Sequence, residues 1–250
     1  MIELLRTAGV AVTVDPASGA LACSGELEVE ELAMRPLDAA RDVYERPPKK
    51  APPLYHMANG ITPRDCAEWD SALRYELTSL RPGLVGREWV KTIGHIHDAA
   101  SDGVGYPEAY EVVAGEAIFV LFRPEPLICL LVEAGSGDRF VIPPGWHHLA
   151  VNTGAGAMVF ADVVARAVVP DYTLLRARRG GPVYLGPDGV RPNPRYEVCR
   201  PLRLRASALP AAADHGRLAD TFFGDRRRLA YLLEPARYRE AWEAFEALVR

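Results

Sequence analysis

Cysteine is scarce in this chain: Cys23, Cys66, Cys129 and Cys199 are spread over 250 residues, with no Cys-x-x-Cys pair. That spacing excludes a disulfide frame and reads as buried thiols of an intracellular protein. No run approaches the ~18 apolar residues of a membrane span. Met1-Ile-Glu-Leu-Leu-Arg6 carries an early acid and no long apolar stretch, so no signal peptide is expected. A basic surplus is missing too. Lys and Arg number 29 against 33 Asp and Glu, a net charge of −4, which argues against nucleic acid as a partner. Internal repeats are absent. The expectation is a soluble, cytoplasmic protein without a membrane or nucleic-acid partner.

What the chain does contain is enough apolar sequence, 49% of residues, for a substantial core. Val10, Val12 and Val14, then Leu21, Leu27 and Val29, alternate about a turn at Asp15-Pro-Ala-Ser-Gly19 and predict strands. Leu37 to Tyr44 suits a short helix before the extended connector Pro47-Pro48-Lys49-Lys50-Ala51-Pro52-Pro53. From Tyr55 to Val169, short apolar runs recur between Gly, Pro, Asn and Asp, the pattern of an antiparallel sandwich or barrel. Val183-Tyr-Leu185 with Gly186-Pro-Asp-Gly189 predicts a last hairpin, and Leu202 to Arg205 a strand. Beyond Arg205 the composition turns helical. Tyr238, Trp242, Phe245 and Val249 form one apolar stripe, separated by Pro235 from a segment at Arg226 to Leu233. The stripe is expected to pack on the chain's own barrel. Three parts follow: 1–54 strands and connector, 55–200 barrel, and 201–250 helical extension.

Within the barrel region lies the most specific signal. His95 and His97 flank Ile96, and strand alternation projects both imidazoles to one face. Glu108 opens a β-prone run that stops at Gly115. His148 closes the pattern Gly137-x5-Pro143-x-Gly145-x2-His148-x3-Asn152. Three imidazoles and a carboxylate suit iron(II), manganese, nickel or zinc and not calcium or magnesium, which prefer all-oxygen shells. Alternation turns His147 away from His148, toward packing or the surface. Lys91, beside Thr92, is expected to face solvent, and Arg176, Arg178 and Arg179 read as a solvated charged face.

These segments resemble the two motifs of the cupin superfamily: His-x-His, Glu-x6-Gly, and Gly-x5-Pro-x-Gly-x2-His-x3-Asn. Within it, the chain resembles the archaeal-type glucose-6-phosphate isomerases. Thr92-Ile-Gly94-His-Ile-His97, Glu108-Ala-Tyr110 and Pro143-Pro-Gly-Trp146-His-His148 carry the likeness. Gly9 to Asp15, Pro82 to Glu88 and Asn193 to Tyr196 extend it over about residues 9 to 196. The resemblance implies an all-β cupin jelly roll and one divalent metal per chain, iron(II) or manganese first, nickel or zinc next, on His95, His97, Glu108 and His148. It further implies a sugar-phosphate pocket lined by Tyr55, Thr78, Thr92, Gly94, Tyr110 and Tyr172, and a homodimer. Thr78, Thr92 and the Gly94 N–H would take the phosphate.

The implied reaction interconverts glucose 6-phosphate and fructose 6-phosphate, with Glu108 shuttling a proton between C2 and C1 and Tyr110 bonding a sugar oxygen. A direct hydride shift fits the same residues. Ten residues separate His97 from Glu108, and Pro170 stands two before Tyr172. Both features bear on which sugar is accepted, and the loop, beside the site, bears on substrate choice while sparing the metal. Isomerisation of another sugar phosphate, an iron-dependent oxygenase and a non-catalytic sugar-binding cupin are the other readings.

Overall fold

The computed structural model describes residues 2–249 except 8–9, 25–26, 64–71 and 213–215. Gly9 and Cys66 therefore lie outside the described residues. The barrel strands are β1 (Leu27–Arg35), β2 (Tyr55–Pro63), β3 (Leu73–Leu80), β4 (Glu108–Ala114), β5 (Glu116–Pro124), β6 (Leu127–Gly135), β7 (Arg139–Ile142), β8 (His147–Asn152), β9 (Met158–Ala165) and β10 (Leu202–Arg205). They form a six-stranded sheet in the order β7-β4-β9-β3-β2-β1 and a four-stranded sheet in the order β8-β5-β6-β10. Pairing is antiparallel except between β6 and β10. This is the expected jelly roll of the cupin type.

The core between the sheets is aromatic. Phe119 from β5 meets Phe140 edge-on at 4.9 Å, and Phe140 lies parallel to Tyr110 at 5.7 Å. The large sheet is covered on its other face as well. There Ala109, Val159, Ala161 and Val163 pack with Leu218, Phe222, Leu229 and Trp242 of the C-terminal segment. Double coverage explains why all of Met158–Ala165 is buried and why that strand reads as a nearly unbroken apolar run. On β4, alternation divides the labour: Glu108 and Tyr110 look inward, while Ala109 and Glu111 look back. The Glu111 carboxylate accepts the Leu218 N–H at 2.6 Å and fastens helix α1 (Leu218–Gly224) to the back of the sheet.

One charged group departs from expectation. Lys91 is buried, not solvent-facing: its ammonium pairs with Glu88 and lies 4.6 Å from the centre of the Tyr44 ring. Regular alternation does not apply there, because Lys91 makes only an isolated bridge to Val151. Arg176, Arg178 and Arg179 stay partly exposed, as expected of a charged face, and each has a partner. Arg176 pairs with Asp42 at 2.6 Å, Arg178 lies over Tyr196, and Arg179 donates to the Tyr44 carbonyl. Of the cysteines, Cys129 is buried, Cys23 and Cys199 are partly so, and all three are unbridged. The helix after Pro36 is short, one α turn at Leu37–Ala40 running into a tighter turn at Arg41–Val43.

Helix α2 (Arg239–Val249) rests on its own barrel. Phe245 packs edge-on against Trp146 at 5.6 Å. Glu246 accepts the Trp146 indole N–H at 3.0 Å and pairs with Arg123. Phe245 is buried, whereas Leu248, on the other face, is 53% exposed. Phe245→Ala should therefore cost about 3–5 kcal/mol and lower the thermal midpoint by roughly 10 °C. Leu248→Ala should change it little, and thermal unfolding of the two variants checks the contrast.

Candidate metal centre and cleft

The segment from Lys91 to His97 is zipped onto β8. Thr92 donates its N–H to the Ala150 carbonyl, and His95 and His148 exchange backbone hydrogen bonds of 3.0 and 2.9 Å. The approach is close enough to need glycine at 94, which has φ +78°. A Cβ there would lie 2.7 Å from Leu149 Cβ and 2.8 Å from the His148 carbonyl oxygen. Beyond it, Ile96–His97 pairs with Pro170–Asp171, which brings Pro170 and Tyr172 to the rim.

This zipper and the inward face of β4 bring the four predicted ligands together. His95, His97, Glu108 and His148 each offer one donor atom, all within 4.8 Å of one another. His95 Nε2 lies 2.9 Å from His97 Nε2, and Glu108 Oε2 lies 3.0 Å from His148 Nε2 and 3.4 Å from His97 Nε2. His97 Nδ1 sits 3.1 Å from the Tyr106 carbonyl oxygen, and His148 Nδ1 sits 3.2 Å from that of Trp146. A carbonyl only accepts, so both imidazoles donate from Nδ1 and aim a bare Nε2 at the centre. Glu108 Oε2 and His148 Nε2 are fully buried and have no hydrogen-bond partner among the described residues.

Electrostatics point the same way. Burial and neighbouring imidazoles push His95 well below the ordinary histidine value, and burial lowers His97. Burial raises the Glu108 carboxyl, and only positive charge beside it, carried on an imidazole of His148, His97 or His95 when no cation is present, holds the group well below the carboxylate range. Lone pairs facing one another in a buried space are the donor set of a divalent cation. The residues fit such an ion.

A model of the family described as glucose-6-phosphate isomerase (GPI) matches residues 38–198. The chain belongs to that family. The glucose-6-phosphate isomerase of Thermococcus kodakarensis is 30% identical over 133 residues, 52% of this chain and 68% of that one. Its counterpart in Thermococcus gammatolerans is 26% identical over 168 residues, covering 66% and 84%. A putative glucose-6-phosphate isomerase 2 of Rhizobium meliloti is 30% identical over 105 residues, covering 42% and 50%. Among solved structures, oxalate decarboxylase from Bacillus subtilis aligns with a TM-score of 0.34 at 17% identity, covering 46% of this chain and 27% of that one. A Klebsiella pneumoniae protein with a double-stranded beta-helix domain aligns at 0.30 and 19%, covering 40% and 74%.

The cluster opens into a cleft of about 520 Å³, also lined by the other six residues of the predicted pocket, Tyr55, Thr78, Thr92, Gly94, Tyr110 and Tyr172. The Tyr110 ring is buried, and its hydroxyl is directed to Glu108. The Thr92 hydroxyl oxygen accepts the Ala150 N–H at 3.0 Å, which leaves its own O–H free to donate. His147 turns away as expected: its ring stacks on Phe122 at 4.8 Å, and burial lowers it to about 4. The ten-residue loop does not reach the cleft. It closes on itself through Ala100 and Val104, and Asp102 accepts the Ala236 N–H at 3.1 Å. The loop contributes no residue to the lining of the cleft. It is tied to the centre by the Tyr106 carbonyl, which accepts from His97 Nδ1, and by Asp98, which accepts the Val169 N–H beside the Pro170 segment.

The polar groups added to the cleft come from elsewhere. Arg35, at the end of β1, stands 5.7 Å from the centre of the Tyr55 ring, and its Nε is buried without a hydrogen bond. Arg74, Glu76 and Asp162 lie on the floor. Nothing local in the sequence marks them, because cross-strand register alone brings them together. A second cleft of about 420 Å³, between α2 and the barrel, is almost wholly apolar and has no converging polar groups.

Burial pushes the Glu76 carboxyl up to about 7, against the pull of the Arg74 guanidinium 3.2 Å away. An acid raised in the folded state binds more protons folded than unfolded between about pH 4.5 and 7. Its stabilising contribution is complete below that window and is lost as pH rises through it. Glu76→Gln should therefore shift the thermal midpoint upward, relative to the parent, by a few degrees more at pH 8 than at pH 5. Melting curves of metal-free protein at the two pH values measure the difference.

Proposed function

We propose that this protein interconverts glucose 6-phosphate and fructose 6-phosphate with one divalent metal ion, iron(II) or manganese, held by His95, His97, Glu108 and His148. The observation that carries this reading is the convergence of three imidazoles and Glu108 on one buried point, facing a cleft with anion-binding groups at its far end. When bound, the ion would supply Lewis-acid stabilisation of charge developing on the sugar oxygens. The chain's own residues do the rest. Thr78, Thr92 and the Gly94 N–H are donors suited to a phosphate, and Arg35 adds the fixed charge that the neutral donors lack. Tyr55 stands beside Arg35, and Tyr172 lies with its ring 5.6 Å from that of His95, at the cluster. Glu108, at the edge of the cluster, is the carboxylate placed to carry a proton between C2 and C1. Tyr110, whose burial keeps its hydroxyl protonated, donates to that carboxylate or to a sugar oxygen. As its relatives' names suggest, the setting is sugar-phosphate metabolism. A cytoplasmic homodimer completes the reading.

A coupled assay for fructose 6-phosphate conversion tests it. Chelator-stripped protein should be inactive, and one of iron(II), manganese, nickel or zinc should restore turnover. Inactivity with one metal bound per chain would keep the centre and discard the substrate. His148→Ala should abolish metal binding and turnover together while the barrel stays folded. Arg35→Gln should raise KM for the phosphorylated sugar about 10- to 100-fold, the range of a hydrogen bond to a charged group, with metal content unchanged.

A further inference from the structure

The floor of the cleft carries a polar rung of which the isomerase reading uses Tyr110 alone. In the six-stranded sheet Tyr110 pairs with Asp162, and Asp162 pairs with Glu76. The three residues therefore point to one face, side by side on β4, β9 and β3. Glu108 lies two positions from Tyr110, toward the imidazoles. Thr78 lies two positions from Glu76 in the opposite sense, on a rung shared with Phe160, and Tyr55 pairs with Arg35 one rung farther. Along one face the order is thus Glu108, then Asp162 and Glu76, then Thr78, then Tyr55 and Arg35. Successive rungs are separated by about 7 Å, two residues of strand rise.

Asp162 is only 3% exposed yet lines the cleft. One of its oxygens, Oδ2, is buried with no hydrogen-bond partner among the described residues. Its carboxyl lies against that of Glu108, and Glu76 stands on its other side with Arg74 at 3.2 Å. A carboxyl group left short of a partner in so buried a place is costly unless a ligand completes it. Any chain spanning from the imidazole cluster to Thr78 and Arg35 must pass over it.

We propose that Asp162, backed by Glu76, is the specificity-determining hydrogen-bond partner for the hydroxyl on C3 of the sugar phosphate. The choice of C3 rests on the isomerase reading, which sets C1 and C2 at the cluster and the phosphate at Thr78 and Arg35. A ligand without that hydroxyl leaves the buried carboxyl unsatisfied and is rejected for that reason, a stronger discrimination than loss of an apolar contact. The preference for a polyhydroxylated chain is thereby built into the sheet itself, not into the loops that rim it.

Calorimetric binding of glucitol 6-phosphate and its 3-deoxy analogue to the full-length, manganese-loaded protein tests the assignment, since neither ligand can turn over. The parent should prefer glucitol 6-phosphate tenfold or more, and Asp162→Ala should reduce that preference to within twofold at unchanged manganese content. A merely structural role would weaken both ligands alike and leave the preference standing, which would overturn the proposal. An absent preference in the parent would also overturn it. Should the alanine variant fail to fold or to hold manganese, Asp162→Asn, of the same shape, decides: the preference must narrow, and a full tenfold preference refutes the role. Fructose 6-phosphate turnover in the same samples separates the two claims. No turnover with the Asp162-dependent preference present removes the isomerase reading alone, while turnover with an Asp162-independent preference removes this inference alone.

Discussion

Four basic or anionic atoms aimed at one buried point repel one another unless something positive lies among them. In this protein the backbone enforces that meeting. The reciprocal hydrogen bonds between His95 and His148 lock two stretches of chain side by side, and Gly94 permits their approach. The carbonyls of Tyr106 and Trp146 then fix the tautomers, so that His97 and His148 present lone pairs and not protons. Rigid placement of this kind means that a cation entering the centre finds its ligands already ordered, at little cost in side-chain entropy.

The remainder of the structure serves to hold β4 where it is. Its inward residues, Glu108 and Tyr110, belong to the cleft. Its outward residues, Ala109 and Glu111, belong to the packing of the C-terminal segment, with Glu111 capturing the N–H of Leu218. One strand therefore couples the site to the far side of the molecule. The C-terminal extension closes the second core behind the histidine–glutamate cluster and clamps Trp146, two residues before His148, through Glu246 and Phe245.

The cluster of three imidazoles and a carboxylate was legible in the sequence because its members sit in short, local patterns: alternation for His95 and His97, a β-prone run opening at Glu108, and a Pro-Pro-Gly turn before His148. The jelly roll was legible for a similar reason, since strand-length apolar runs cut by turn residues recur along the chain. Contacts made only by long-range register were not. Arg35, Glu76 and Asp162 come from strands far apart in the chain and meet through cross-strand pairing that no window of sequence displays. Lys91 looks like surface charge until its partner Glu88 is in place. The loop before Glu108, conspicuous by its length, turned out to brace His97 and to lie outside the cleft.

The central claim is that His95, His97, Glu108 and His148 together make one metal site. Titration of chelator-stripped protein with manganese(II), followed by electron paramagnetic resonance of the free ion, measures it most directly. The account predicts one tight site per chain, lost in Glu108→Gln although the far-UV circular dichroism is unchanged. Tight binding that survives in Glu108→Gln, or no tight site in the parent protein, would contradict it.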